Sequence, residues 1–224
     1  MTFSIVARCP RTGMFGVAVA SSSAAVAARC AYAQAGVGAV ASQNVTDPTL
    51  GPRTLELMAR GLSATEAVSV LKRTSAYPEY RQLLAVDAAG VSAVHSGRKA
   101  LGVWAEASGN DVACGGNLLA NADVPKLMVE AFIASDGHLG DRLIVVMRAA
   151  LSAGGEAGPV RSAGMKLVDT VSWPVADLRC DWTDACPVEE LAAIWQIYKP
   201  QLDAYVTRAI NPSAAPSYGV PGDE

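Results

Sequence analysis

From its second residue the chain alternates. In residues 2–8, Phe3, Ile5 and Ala7 face one way and Ser4, Val6 and Arg8 the other. Residues 13–21 repeat the pattern, with Phe15, Val17 and Val19 against Gly16, Ala18 and Ala20. Successive side chains of a strand point to opposite faces, so each stretch reads as a strand. The intervening Cys9-Pro10-Arg11-Thr12-Gly13 reads as the turn of an antiparallel hairpin. The small residues on one face let another layer approach closely. A third strand, rich in Gly, Ala and Val, is expected over 36–45.

The period then changes from two to about 3.6. Asp47-Pro48 opens a helix carrying Leu55 and Met58, which Gly61 closes. Ser63 and Glu66 form the capping box of a second helix. Strands return over 81–87, 91–96 and about 103–114. Asp123 caps a third helix with Leu127, Met128, Ala131 and Phe132 on one face, and Leu139, Leu143, Val146, Met147 and Ala150 mark a fourth. Two strands follow, over 162–168 and 175–181. Pro187, with Glu189 and Glu190 in the first turn, starts a long final helix that Pro200 should kink. Helices thus come in pairs between groups of strands, unlike the strict alternation of a doubly wound fold. The order predicts an α+β protein, a four-layer αββα sandwich of two antiparallel sheets between helix layers. One domain is expected over 1–210, with a Pro/Gly-rich extended tail over 211–224.

Composition excludes several classes of function. Of 224 residues, 51% are apolar and 17% charged, the opposite of a disordered chain. The length suffices to bury roughly 70% of the unfolded surface, enough for one full core. The net charge of −3 argues against a nucleic-acid partner, and no polybasic run offers a membrane-surface site. No apolar run reaches the length of a transmembrane helix. Five cysteines at scattered spacing (Cys9, Cys30, Cys114, Cys180, Cys186) make neither a disulfide framework nor a zinc knuckle, and are expected as buried thiols of a cytoplasmic protein. In the last helix Val188, Leu191, Trp195, Tyr198, Leu202 and Tyr205 form a stripe that docks on its own sandwich or meets a partner; we expect a homodimer or larger assembly in which this helix or the Pro-rich tail reaches a neighbour.

The chemistry must be sought with only two histidines, His95 and His138. Nucleophile-elbow, zincin, Walker and dinucleotide motifs are all missing, and neither metal nor cofactor is expected. Thr2 follows an excisable Met1. Once Met1 is removed, one residue supplies a hydroxyl nucleophile and, in its α-amine, the general base. With Met1 retained the amine is blocked, and the chain becomes a ligand-binding or assembly subunit. A Cys30 or Cys114 nucleophile is a third reading without an evident histidine partner. Other candidates lie at strand ends: Ser21 in Ser21-Ser22-Ser23, Gln43 and Asn44 after the third strand, and Gly115-Gly116-Asn117, where backbone N–H groups and the Asn117 amide can serve an oxyanion. Asp177, Arg179 and Asp181 share one face of a late strand, as an ion-pair ladder or as substrate contacts.

Taken in order, residues 2–8, 16–21 and 36–43, then Gly51-Pro52, Gly61-Leu62-Ser63-Ala64, Tyr80-Arg81-Gln82-Leu83, Gly116-Asn117-Leu118-Leu119, Arg161-Ser162-Ala163 and Asp177-Leu178-Arg179 resemble the family known as domain of unknown function 1028. That family is placed in the N-terminal nucleophile (Ntn) hydrolase superfamily, which includes proteasome β subunits. The resemblance implies an αββα sandwich and amide-bond hydrolysis with Thr2 as nucleophile. Where the second proteasomal strand carries an aspartate near its end, Ala20 and Ser21 stand here. In place of the third-strand lysine, Gln43 and Asn44 lie nearby. The expected activity is hydrolysis of a linear, non-peptide or ureido C–N bond in a small molecule. Thr2, Ser21 and Asn117 would be catalytic, and Gln43, Asn44, Gly116, Asp177 and Arg179 would contact substrate.

Overall fold

A computed structural model describes residues 1–222. The first hairpin forms as its alternation requires: β1 (Thr2–Arg8) pairs antiparallel with β2 (Phe15–Ser21). A single helical turn, α1 (Ala27–Cys30), then leads into β3 (Ala31–Gln34) and β4 (Gly38–Gln43). The helix pair follows as α2 (Leu50–Ala59) and α3 (Ala64–Thr74), the latter opened by the Ser63–Glu66 capping box. Next come β5 (Gln82–Asp87), β6 (Ser92–Ser96), β7 (Ala105–Gly109) and β8 (Val112–Asn117). A second helix pair, α4 (Val124–Ala134) and α5 (Leu139–Ser152), precedes β9 (Ser162–Val168) and β10 (Ala176–Cys180). The chain closes with α6 (Pro187–Tyr198), a 3-10 turn at Lys199–Gln201 and α7 (Leu202–Ile210). The break falls at Pro200, which cannot donate to the helix ladder.

The protein is therefore mixed α+β with two antiparallel sheets, ordered β10-β9-β2-β1-β8-β7 and β3-β4-β5-β6. The structure differs from the sequence reading in several places. Residues 27–34 form α1 and β3 where no element was expected. Residues 103–114 are a β7–β8 hairpin rather than one strand, turned at Asp111, whose φ is +64°. Asp123 gives no side-chain cap to α4.

Burial divides into three clusters. Phe3 and Ile5 of β1 and Ala18 and Ala20 of β2 join apolar side chains of α4, α5 and α6. The opposite faces of the same strands, Val6, Val17 and Val19, join Ala39 and Ala41 of β4 and Leu84 and Val86 of β5. The far face of the second sheet, Val40, Leu83 and Ala85, joins α2 and α3. The stripe on the last helix belongs to the first cluster: Val188, Leu191, Trp195 and Leu202 are buried there, and the Tyr198 hydroxyl donates to the Val175 carbonyl. Most of it docks on its own chain, with Tyr205 half-buried beyond the cluster; Ile194, Ile197 and Ile210 are exposed on this segment. Close packing here needs a glycine, since a Cβ on Gly140 would stand 2.4 Å from the Trp195 ring. After α7 the segment is not simply extended. It makes a 3-10 turn at Pro212–Ala214, and the Arg208 guanidinium donates to the carbonyls of Pro216 and Ser217. Among the described residues no helix is long and apolar enough to cross a membrane.

At one end the inter-sheet cluster turns polar. Ser4 Oγ of β1 donates to Gln43 Oε1 of β4 (2.6 Å), and Gln43 Nε2 donates to Gln82 Oε1 of β5 (2.6 Å) and to the Gly115 carbonyl of β8 (3.2 Å). Gln82 Nε2 donates to Ser96 Oγ (2.9 Å) and the Gly116 carbonyl (3.1 Å). Gln43 and Gln82 have no exposed surface. Each amide leaves the other satisfied, so removing one strands buried donors and acceptors. Gln82→Leu is expected to destabilise the protein by about 2–4 kcal/mol, read as a lowered urea midpoint at unchanged slope.

Candidate active site

β1 lies inside the six-stranded sheet, flanked by β2 and β8. Its side chains alternate, and Val6 packs in the inter-sheet cluster, so Ser4 and Thr2 face the second sheet. Thr2 stands opposite Asn117 in the β1–β8 register. Its hydroxyl lies 3.2 Å from that of Ser21, at the end of β2. Both hydroxyls donate in short hydrogen bonds to one acceptor, the Met1 carbonyl oxygen. Ser21 Oγ also accepts from the Ser23 N–H (3.1 Å). All three side chains are buried, Asn117 at 2% exposure and Thr2 at 7%. Asn117 Nδ2 donates one hydrogen bond, to Gln82 Oε1 at 3.3 Å. The next residue, Leu118, turns the chain at φ +51°.

Thr2, Ser21 and Asn117 are thus brought together, and the remaining candidates take other positions. Gly116 is next to Asn117; its carbonyl serves Gln82, and a Cβ there would stand 2.5 Å from the Leu119 side chain. Gln43 is spent inside the amide network beneath the three. Asn44 adopts φ +60° and clamps two loops, donating to the Tyr80 carbonyl (2.6 Å) and accepting from the Leu101 N–H (3.2 Å). Asp177 and Arg179 lie exposed on the edge strand β10, separated from β1 by β9 and β2, and pair with Lys166 (3.2 Å) and Asp181 (2.7 Å). Along that strand Arg179 pairs with Asp181, while Asp177 reaches across to Lys166 of β9.

Both histidines are engaged elsewhere. His95 meets the Pro78 carbonyl at 3.0 Å, and His138 caps α5 by accepting from the Gly140 N–H. Burial pushes the Cys30 and Cys114 thiols up, opposite to the direction that activates a nucleophile. Among the described residues no group of three His, Cys, Asp or Glu side chains is placed to hold a metal ion.

Sequence reasoning missed Glu156. It is 5% exposed, and both its carboxylate oxygens lie 3.1 Å from the Ser22 N. Burial raises its pKa to about 7, against the opposing pull of the positive chain terminus and of the Ser22 hydrogen bond. The signal was there in Gly154-Gly155-Glu156-Ala157-Gly158-Pro159, one acid in a run of turn residues. Burying a carboxylate costs free energy unless it is paired and hydrogen-bonded.

A family model described as a family of unknown function, DUF1028, matches residues 2–191. The crystal structure of protein SPO2555 from Silicibacter pomeroyi, assigned to the same family model, is 29% identical, with 88% of each chain covered and a TM-score of 0.81. Anbu (ancestral beta-subunit) from Yersinia bercovieri is 11% identical, covering 91% of this chain and 97% of that one at a TM-score of 0.40. No curated protein matches. With its model spanning most of the chain, from Thr2 at the site to Leu191 in the last helix pair, the protein belongs to the DUF1028 family.

Proposed function

We propose that this chain is an N-terminal nucleophile hydrolase, an αββα sandwich that cleaves a linear amide or ureido C–N bond of a small molecule. The observation that carries the reading is the Thr2 hydroxyl, held at the end of an interior strand beside the Ser21 hydroxyl and opposite Asn117. The architecture is supported by the three buried clusters, one shared by the two sheets and one between each sheet and its helices.

With Met1 removed, the Thr2 amine is free and Oγ attacks the substrate carbonyl carbon. The hydroxyl proton passes to the amine. The developing oxyanion takes the place that the Met1 carbonyl oxygen marks, within reach of the Ser21 hydroxyl, and Asn117, opposite Thr2 in the β1–β8 register, has a second N–H to offer it. The ammonium then gives its proton to the leaving nitrogen as the C–N bond breaks, which leaves an acyl ester on Thr2. Water, deprotonated by the same amine, attacks the ester carbon, the bond from that carbon to Thr2 Oγ breaks as Oγ takes the proton back from the ammonium, and the carboxylic or carbamic acid departs. These steps use no metal or cofactor.

A second reading keeps Met1, whose carbonyl then goes on accepting from both hydroxyls, and makes the chain a non-catalytic binding or assembly subunit. Intact mass decides between them. The hydrolase reading expects the chain to lack one methionine residue and to release ammonia or amine from a panel of amides, ureido acids and acyl amino acids. A chain that keeps Met1 and turns over nothing in the panel overturns it.

A further inference from the structure

The loop before β9 is fixed on several sides. Gly155 N–H donates to the Ala150 carbonyl (2.8 Å), Ala120 N–H to the Gly155 carbonyl (3.0 Å) and Ala157 N–H to the Leu118 carbonyl (2.9 Å), while Glu156 bridges to Leu119. Glu156 is therefore held in place from both neighbours in sequence. Its carboxylate points to the Ser22 N–H. The β1–β2 pairing ends at Phe3↔Ala20, and Ser22 directly follows Ser21, whose hydroxyl donates to the Met1 carbonyl. Met1 itself packs along this loop, its methyl carbon 3.2 Å from where a Cβ of Gly158 would stand. So a buried carboxylate faces the start of the chain. A carboxylate has room for about four donors, and the hydrogen bonds given to it here come from Ser22 alone among the described residues.

We infer that Glu156 is a positioning residue for the chain's terminal amine, supplying the negative charge that holds the ammonium formed when the Thr2 amine takes up a proton. This rests on the Thr2 reading of the site. An ammonium formed without such a partner in a buried position is disfavoured. With Glu156 ionised, proton transfer from Oγ to the amine ends in an ion pair, and the pair is dissolved when that proton passes to the leaving nitrogen. The carboxylate neither gains nor loses a proton in the cycle. The neighbouring charge must also raise the amine's affinity for a proton. The carboxyl's own titration near neutrality follows from its burial. The other titratable group on the cavity of about 340 Å³ that Glu156 lines is the Cys186 thiol; Leu151 of α5 and Pro159, Val160 and Pro187 add no charge to it.

The test needs no substrate. The chain is released from a cleavable fusion so that Thr2 is first, and its α-amine is carbamoylated with potassium cyanate across a range of pH. The reaction is followed by mass spectrometry of the N-terminal peptide. Only the neutral amine reacts, so the pH of half-maximal rate reports the amine directly. In Glu156→Gln, which keeps an acceptor for Ser22, the midpoint is expected to fall by about one pH unit; Glu156→Asp, with its charge drawn back, should lie between. If Glu156→Gln does not fold by near-ultraviolet circular dichroism, Glu156→Asp carries the comparison alone. A midpoint unchanged in a folded variant overturns the inference, whatever the activity. A shifted midpoint in a chain that hydrolyses nothing upholds the carboxylate–amine pairing and overturns only the hydrolase reading.

Discussion

Thr2→Ala is expected to lose all detectable turnover, and Thr2→Ser to keep part of it. Alanine removes the only atom that can attack, whereas serine preserves both the hydroxyl and the α-amine. Adding a single residue ahead of Thr2 should also abolish activity, because the amine becomes an amide nitrogen with no basicity. The pH profile should rise as the amine loses its proton, since only the neutral form accepts one, with the limb above the ordinary α-amine range of about 7.7–8.0 where the Glu156 carboxylate holds the ammonium. None of these changes should cost the fold more than about 1 kcal/mol, the worth of one hydrogen bond such as that between the Thr2 and Ser21 hydroxyls. Kinetics on any substrate the panel yields, beside thermal melts, check the set. Full activity in a chain whose mass includes Met1 would sink the mechanism.

The next largest effect is expected at Asn117. Its side chain has two N–H donors, and one goes to Gln82 at 3.3 Å. The other is free to serve an oxygen next to Thr2. Loss of one oxyanion donor usually costs 10²–10³ in kcat, so Asn117→Ala should lower kcat by roughly that factor. The stability loss should be small, near 1 kcal/mol, because Gln82 Oε1 keeps its shorter bond from Gln43 at 2.6 Å. Asn117→Asp, which preserves the shape but presents a carboxylate to the oxyanion, should be at least as inactive. If denaturant melts show Asn117→Ala strongly destabilised while its folded fraction turns over at the wild-type rate, the residue shapes the turn before Leu118 and does no more.

What the sequence made legible was whatever a local period or a short-range hydrogen bond decides. The alternation of residues 2–8 and 13–21 gave the first hairpin, Ser63 and Glu66 gave the start of α3, and Pro200 gave the break in the last helix. Residues 27–34 were silent because four-residue elements of small and polar side chains carry too few positions to establish a period. The β7–β8 turn was hidden by a run of short side chains, with Gly109-Asn110-Asp111 as its one overlooked mark. At the site, Thr2, Ser21 and Asn117 could be named from their strand ends. What could not be named was the direction in which an amide turns. Gln43 and Asn44 are neighbours in sequence, yet one closes a network between the sheets and the other clamps loops. Gln82 and Glu156, 80 and 154 positions from Thr2, meet the site only through strand pairing and a loop crossing, which no local pattern encodes.

The place of β1 has a consequence for the order in which the protein assembles. Its pairing with β2 closes over a turn of a few residues and can form as soon as residue 21 is made. Its other edge waits for β8, since Thr2 meets Asn117. During synthesis the first strand must therefore spend the time needed to add residues 22–117 with one row of backbone donors and acceptors unmatched, an open edge that other chains could join. Closing so long a loop is slow compared with forming the hairpin. The beginning of this chain is among the last parts to be locked, and the terminus on which its proposed chemistry depends acquires its neighbours only after more than half the protein exists.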